Sequence, residues 1–187
     1  MKAGVRALGI AESFTDERST LAGAVVRASR VVDGFVFGIC TVGGTDATDA
    51  IVDMVERLDR EDVRYLLVAG IAPAWFNVVD LQRINEATGR PVLSVTFEES
   101  DGLESTLREE FSGEALERRL ATYRTHPERV RLSVNDETVY VRQVGCDEAE
   151  AREVVRAFTP EGGRPEPLRV ARLAARAGDD AFVSGRR

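Results

Sequence analysis

Four stretches of this 187-residue chain gather side chains that can do chemistry. Residues 11–18 hold Glu12 and Asp16, 43–49 hold a Gly-Gly pair with Asp46 and Asp49, 69–77 end in Trp75, Phe76 and Asn77, and 98–101 are acidic. Carboxylates from separate strands that converge on one spot hold a hard divalent cation, which activates water and stabilises charge on a phosphate. Gly43 and Gly44 let a phosphate or base approach the backbone beside a helix N-terminus, and equally suit a turn that needs positive φ. Trp75, the only tryptophan, and Phe76 can stack on a base, with core packing as the competing role. Asn77 reads as a helix cap and His126 as a surface residue, while Arg169, Arg172 and Arg176 recur along one helix face that either meets phosphates or simply faces solvent. Cys40 and Cys146 lie far apart among apolar neighbours and read as two buried thiols, neither a disulfide nor a metal site. No Ser-His-Asp, Cys-His, Walker or zinc spacing is present.

The elements that must position these residues follow from hydrophobic period. Runs 5–10, 20–28 and 34–42 are strand-like, and Val32-Asp33-Gly34 between the last two is a hairpin signal, so they form an antiparallel meander. From Asp46 the apolar positions Ile51, Met54, Val55 and Leu58 recur at helical spacing, with Thr45 placed to cap. Residues 64–68 and 91–97 are short apolar strands of the kind buried on both faces, separated by a helix that Asn77 opens and Gly89 closes. The second half predicts helices over 103–111, 113–123, 148–158 and 168–177, a hairpin around Asn135-Asp136, and fraying from Gly178. The predicted fold is therefore α/β and ribonuclease H-like. A mixed sheet of about five strands, three antiparallel and then two parallel, is joined by crossover helices. The chain reads as one domain: a core over 1–100, helical and hairpin additions over 101–178, and a frayed tail over 179–187. In such open sheets ligands gather at the carboxyl ends of the strands, where the four chemistry-bearing stretches fall.

The sequence resembles the endonuclease dU family, which is related to endonuclease V. The resemblance is carried by Leu8-Gly9-Ile10, by Val42-Gly43-Gly44-Thr45-Asp46-Ala47-Thr48, by Gly70-Ile71 with Phe76-Asn77-Val78-Val79-Asp80, and by Pro165-Glu166-Pro167-Leu168-Arg169-Val170-Ala171. It implies an endonuclease V-like domain that acts through Mg²⁺ or Mn²⁺ on DNA or RNA near deaminated bases such as deoxyuridine. Carried onto this chain, it makes Glu12 and Asp46 the metal-holding catalytic residues and Gly43, Gly44, Trp75, Phe76 and Asn77 the nucleic-acid contacts. The family pattern places an Asp where this chain has Ala11, a second where it has Ala69, and often a histidine where it has Arg172. An alanine methyl ligates nothing, so the resemblance also admits a relative without a catalytic metal that binds nucleic acid or a protein.

Composition bounds the setting. Lys2 is the only lysine, so arginine supplies the other 24 of the 25 basic residues, against 32 acidic ones and a formal net charge of −7. An acidic, lysine-poor surface suits strong salt, and an arginine-biased genome gives the same ratio. The sign of the charge argues against a broad basic nucleic-acid face. No window reaches the about 20 apolar residues of a membrane helix, and residues 1–6 lack a signal peptide's apolar stretch, which reads as a cytoplasmic protein.

Overall fold

The computed structural model describes residues 1–184. The chain opens with β1 (Arg6–Thr15), β2 (Arg18–Arg27) and β3 (Val32–Thr41), followed by α1 (Ala47–Leu58), β4 (Val63–Val68), a one-turn segment α2 (Pro73–Phe76), α3 (Leu81–Thr88) and β5 (Val92–Thr96). The second half adds α4 (Glu104–Glu110), α5 (Gly113–Arg124), β6 (Val130–Val134), β7 (Glu137–Val144), α6 (Glu148–Ala157) and α7 (Glu166–Ser184). The strands form one seven-stranded sheet in the order β3-β2-β1-β4-β5-β7-β6. β1 pairs antiparallel with β2 and parallel with β4, and β4 pairs parallel with β5, as the sequence order predicts.

Three details differ from the sequence-based expectation. The hairpin around Asn135-Asp136 is no separate addition, because β7 pairs antiparallel with β5 and extends the sheet from about five strands to seven. Asp33-Gly34 is not the turn between β2 and β3: β3 already begins at Val32, and the chain reverses three residues before Asp33, through Arg30, whose φ is +71°. Asp33 instead accepts from Arg27 and Arg6, each at 2.6 Å, and these two arginines hold its carboxyl down to about 2. Third, α7 continues through Ser184, so the tail expected to fray from 179 is helical as far as the described residues run, and 185–187 lie outside them.

Strand alternation sends Leu8 and Ile10 to the face covered by α1 and α3, and Ala7 and Ala11 to the face covered by α6 and α7. On the second face the approach is close. Ala11 packs with Ala24, Val26 and Ala171, and Gly9 lies directly beneath Pro167 at the start of α7. The buried polar Asp179 takes bonds from Ser13 and Thr20 further along the same contact.

Candidate nucleic-acid interface

The predicted site residues separate onto different surfaces. β1 remains a strand through Thr15, so Glu12 and Ala11 point to opposite faces. Ala11 is 3% exposed under α7, beside Ala69 at the end of β4, where the backbone of Ala69 donates to the Ile10 carbonyl at 3.0 Å. Glu12 accepts from Ser19 Oγ at 2.6 Å. Asp46 takes the Thr41 backbone N–H at 3.0 Å, the Thr41 hydroxyl at 2.8 Å and the Asn77 amide at 2.6 Å. Burial alone raises its pKa, but the donors of Thr41 and Asn77 outweigh burial and hold it below the usual 3.8. Both acids lie near Cys40, whose thiol burial pushes up to about 12, with the charges of Asp46 and Glu12 adding to the effect.

This donor set does not fit Mg²⁺ or Mn²⁺. Ala11 and Ala69, where the family resemblance places metal-holding acids, carry only methyl groups. Glu12 and Asp46 are each engaged by the protein, and among the described residues no group of three or more His, Cys, Asp or Glu is placed to hold a metal. Other nearby acids have structural partners as well: Asp49 pairs with Arg83, and Asp80 caps α3 by accepting from the Arg83 backbone at 3.0 Å.

Asp46 therefore acts as a structural clamp. Asp46→Asn is expected to lower stability by about 1–2 kcal/mol, because a neutral amide replaces a charge-assisted acceptor of three donors. Its pH signature is defined by the lowered pKa: the stabilisation is full above the ordinary 3.8 and is lost as the pH falls through the folded value. Acid titration of the melting temperature should show this loss in the native chain and a shallower one in the variant; parallel curves would refute the clamp.

The loops predicted to meet nucleic acid do come together, largely to hold one another. Gly43 donates to the Ala74 carbonyl at 2.7 Å and Gly44 to the Thr41 carbonyl at 3.0 Å, so neither N–H is free to cradle a phosphate. Gly43 has φ +69°, and a Cβ on Gly44 would sit 2.8 Å from that of Thr41, so both glycines serve the turn. Asn77 is fully buried and opens α1, not the second helix: its Oδ1 accepts from the Ala47 N–H at 2.9 Å. Phe76 packs edge-on against Phe111 at 6.2 Å. Trp75 alone is available for stacking, 52% exposed at the tip of three successive left-handed residues, Ala74, Trp75 and Phe76, with φ of +47°, +54° and +58°. Such a run is costly for non-glycine residues and persists only where its surroundings impose it. Arg119 imposes it here. Buried at 4% exposure, it donates to the carbonyls of Phe76 at 3.0 Å, Gly44 at 3.0 Å, Ala115 at 2.8 Å and Gly43, and stacks on Phe111 at 3.9 Å.

What the sequence reading missed is a pocket of about 440 Å³ at the carboxyl ends of β4 and β5. Arg129, Arg142, Arg164 and Arg172 line it, with Ala69 in its wall and Glu98 as the one acid among the described residues. Arg129 lies over the Tyr140 ring at 4.8 Å and Arg164 over Phe97 at 4.2 Å. Among these, Arg172 was visible only as part of a helix face. His126, expected at the surface, is half-buried with Nε2 2.8 Å from the Val79 carbonyl and Nδ1 3.0 Å from that of Tyr123. Cys40 is buried, Cys146 is half-buried, and neither forms a disulfide.

A family profile described as endonuclease dU matches residues 3–178. The chain belongs to the endonuclease dU family. Its relatives include a UPF0215 protein of Thermococcus kodakarensis, 38% identical over 95% of this chain and 93% of that protein. The crystal structure of a protein of unknown function from Archaeoglobus fulgidus superposes with a TM-score of 0.84 at 32% identity, covering 92% and 96% of the two chains. Endonuclease V of Ciona intestinalis, solved with a DNA 24-mer containing an inosine, shares the fold at a TM-score of 0.63 and 10% identity over 95% and 87%. This endonuclease dU family member thus has the endonuclease V-like, ribonuclease H-like fold that its element order predicts. No helix among its described residues is long and apolar enough to cross a membrane.

Proposed function

We propose that this endonuclease dU family member binds nucleic acid at the carboxyl edge of its sheet and does not cut it by a metal-dependent route. One observation carries the reading: Ala11 and Ala69, packed together beneath α7, occupy the positions where the family resemblance puts metal-holding acids. The exposed Trp75 supplies a stacking platform, and the pocket arginines supply positive charge on a chain whose net charge is −7. The family description and the DNA bound to the Ciona protein support nucleic acid as the partner.

The test pairs cleavage with binding on a labelled deoxyuridine-containing strand. Cleavage is followed with Mg²⁺ or Mn²⁺ in low and in molar KCl, because the acidic, lysine-poor composition suits strong salt. Binding is followed in EDTA by the fluorescence of the sole tryptophan, Trp75. The expected result is a quenched Trp75, a retained strand and no nick. Nicking that disappears in both Glu12→Ala and Asp46→Ala would overturn this reading and restore a metal-dependent endonuclease built on those two acids.

A further inference from the structure

The four arginines of the pocket come from four places in the chain. β7 brings Arg142 opposite Ser94 and Tyr140 opposite Thr96, so both lie at the end of β5. Arg129 precedes β6 and is fixed by donating to the carbonyls of Glu98, at 3.2 Å, and Ser100. Arg164 comes from the loop before α7 and Arg172 from α7 itself. Among the described residues neither Arg164 nor Arg172 forms an ion pair. Burial first, and then the neighbouring charges of Arg172 and Arg176, lower the pKa of Arg164, so these guanidiniums are close enough to repel.

Four guanidiniums against the single carboxylate of Glu98 leave an excess of positive charge that an anion satisfies. Guanidiniums suit phosphate, because the planar fork matches its oxygens with two parallel N–H donors. Apolar and aromatic groups, including Ile71, Val95, Phe97 and Leu103, line it beside the polar Ser94, Thr96, Ser100 and Glu98, so the anion carries an organic body. A volume of about 440 Å³ is in the range of sites for a small organic ligand and exceeds what a bare phosphate fills.

We propose that this pocket holds the phosphate of one nucleotide unit, with Arg164 and Arg172 as its counter-charge and no divalent cation taking part. The inference deepens the nucleic-acid reading above and rests on it. The nucleotide is either free or part of a strand, and the two sources are separable.

The experiment measures binding of free dUMP by calorimetry and of a labelled single strand by fluorescence polarisation, each in EDTA and again in Mg²⁺. Arg164→Gln and Arg172→Gln are each expected to weaken binding about tenfold, the loss of one charge-assisted fork. Each should also flatten the dependence of log affinity on log salt by about one charge. Arg169→Gln, on the same helix but paired with Glu166 at 2.6 Å, should change neither. Thermal melts check that the variants fold, since Arg164 also stacks on Phe97. A loss in both arms assigns the pocket to free nucleotide as well as strand; a loss in the strand arm alone assigns it to strand phosphate; either supports the inference. Strand binding that still quenches Trp75 but ignores both substitutions would overturn the pocket while sparing the nucleic-acid reading. Binding that requires Mg²⁺ would also overturn the pocket assignment, and failure of the native chain to bind any strand would remove both.

Discussion

Arg119→Ala is expected to cost about 3 kcal/mol of stability and to free the Trp75 loop. The guanidinium is buried and has no carboxylate partner among the described residues; backbone carbonyls of Gly43, Gly44, Phe76 and Ala115 compensate its charge. Burial lowers its pKa, yet a guanidinium is basic enough to stay protonated at neutral pH. Truncation removes this donor from the carbonyls of Gly43, Gly44 and Phe76, each worth about 1–3 kcal/mol where water cannot replace it, and bares the Phe111 ring, while the Ala115 carbonyl keeps its bond within α5. The left-handed residues at 74–76 then lose what fixes them, so Trp75 should shift its emission as well as its mobility. Chemical denaturation and the tryptophan spectrum check the two halves separately. A variant with unchanged stability and an unchanged spectrum would show that the loops hold themselves. Arg119→Lys should rescue little, because a single ammonium cannot reach carbonyls on three sides.

The same contrast explains how much of this molecule is legible in its sequence. Strand and helix periods, read locally, give the meander, α1, β4, α3 and β5 in order, because each element buries one face and its pattern records which. Turn chemistry misleads where tertiary charge competes with it. Asp33-Gly34 has the composition of a hairpin turn, but two arginines from β1 and β2 draw Asp33 into β3. Asn77 has the composition of a cap and is one, for a helix that begins 30 residues earlier in the chain.

The roles of individual site residues are less legible, for a different reason. Glu12 and Asp46 stand out because acids near motif glycines are conspicuous, but a carboxylate's role depends on what donates to it, and Ser19, Thr41 and Asn77 come from three other segments. The arginine pocket leaves no local signature at all. Its four guanidiniums are spread from 129 to 172 and meet only because β7 joins β5 and α7 lies across β1. In a chain with 24 arginines, nothing in residue type separates these four from those on solvated helix faces.

Gly9→Ala should be the other severe substitution, costing about 3 kcal/mol through overpacking. A methyl at Gly9 would fall within 2.6 Å of the Pro167 Cβ and closer still to the Pro167 carbonyl group, which is backbone and cannot swing aside. Neither neighbouring strand can yield, because Gly9 sits in the ladder between Ala24 of β2 and Leu67 of β4. The contact sets the register of α7. Four helical residues rise about 6 Å and two strand residues about 6.6 Å, so Pro167 over Gly9 places Ala171 over Ala11. One residue further on, Arg172 reaches the pocket. The substitution should therefore lower the melting temperature by about 10 °C and weaken nucleotide binding together. Gly4→Ala, where a methyl meets nothing within 4 Å, is the matched control. If the two variants melt alike, α7 is free to slide and the placement of Arg172 is not set by this contact. If Gly9→Ala melts early but binds normally, the register is restored elsewhere along the Ser13 and Thr20 bonds to Asp179.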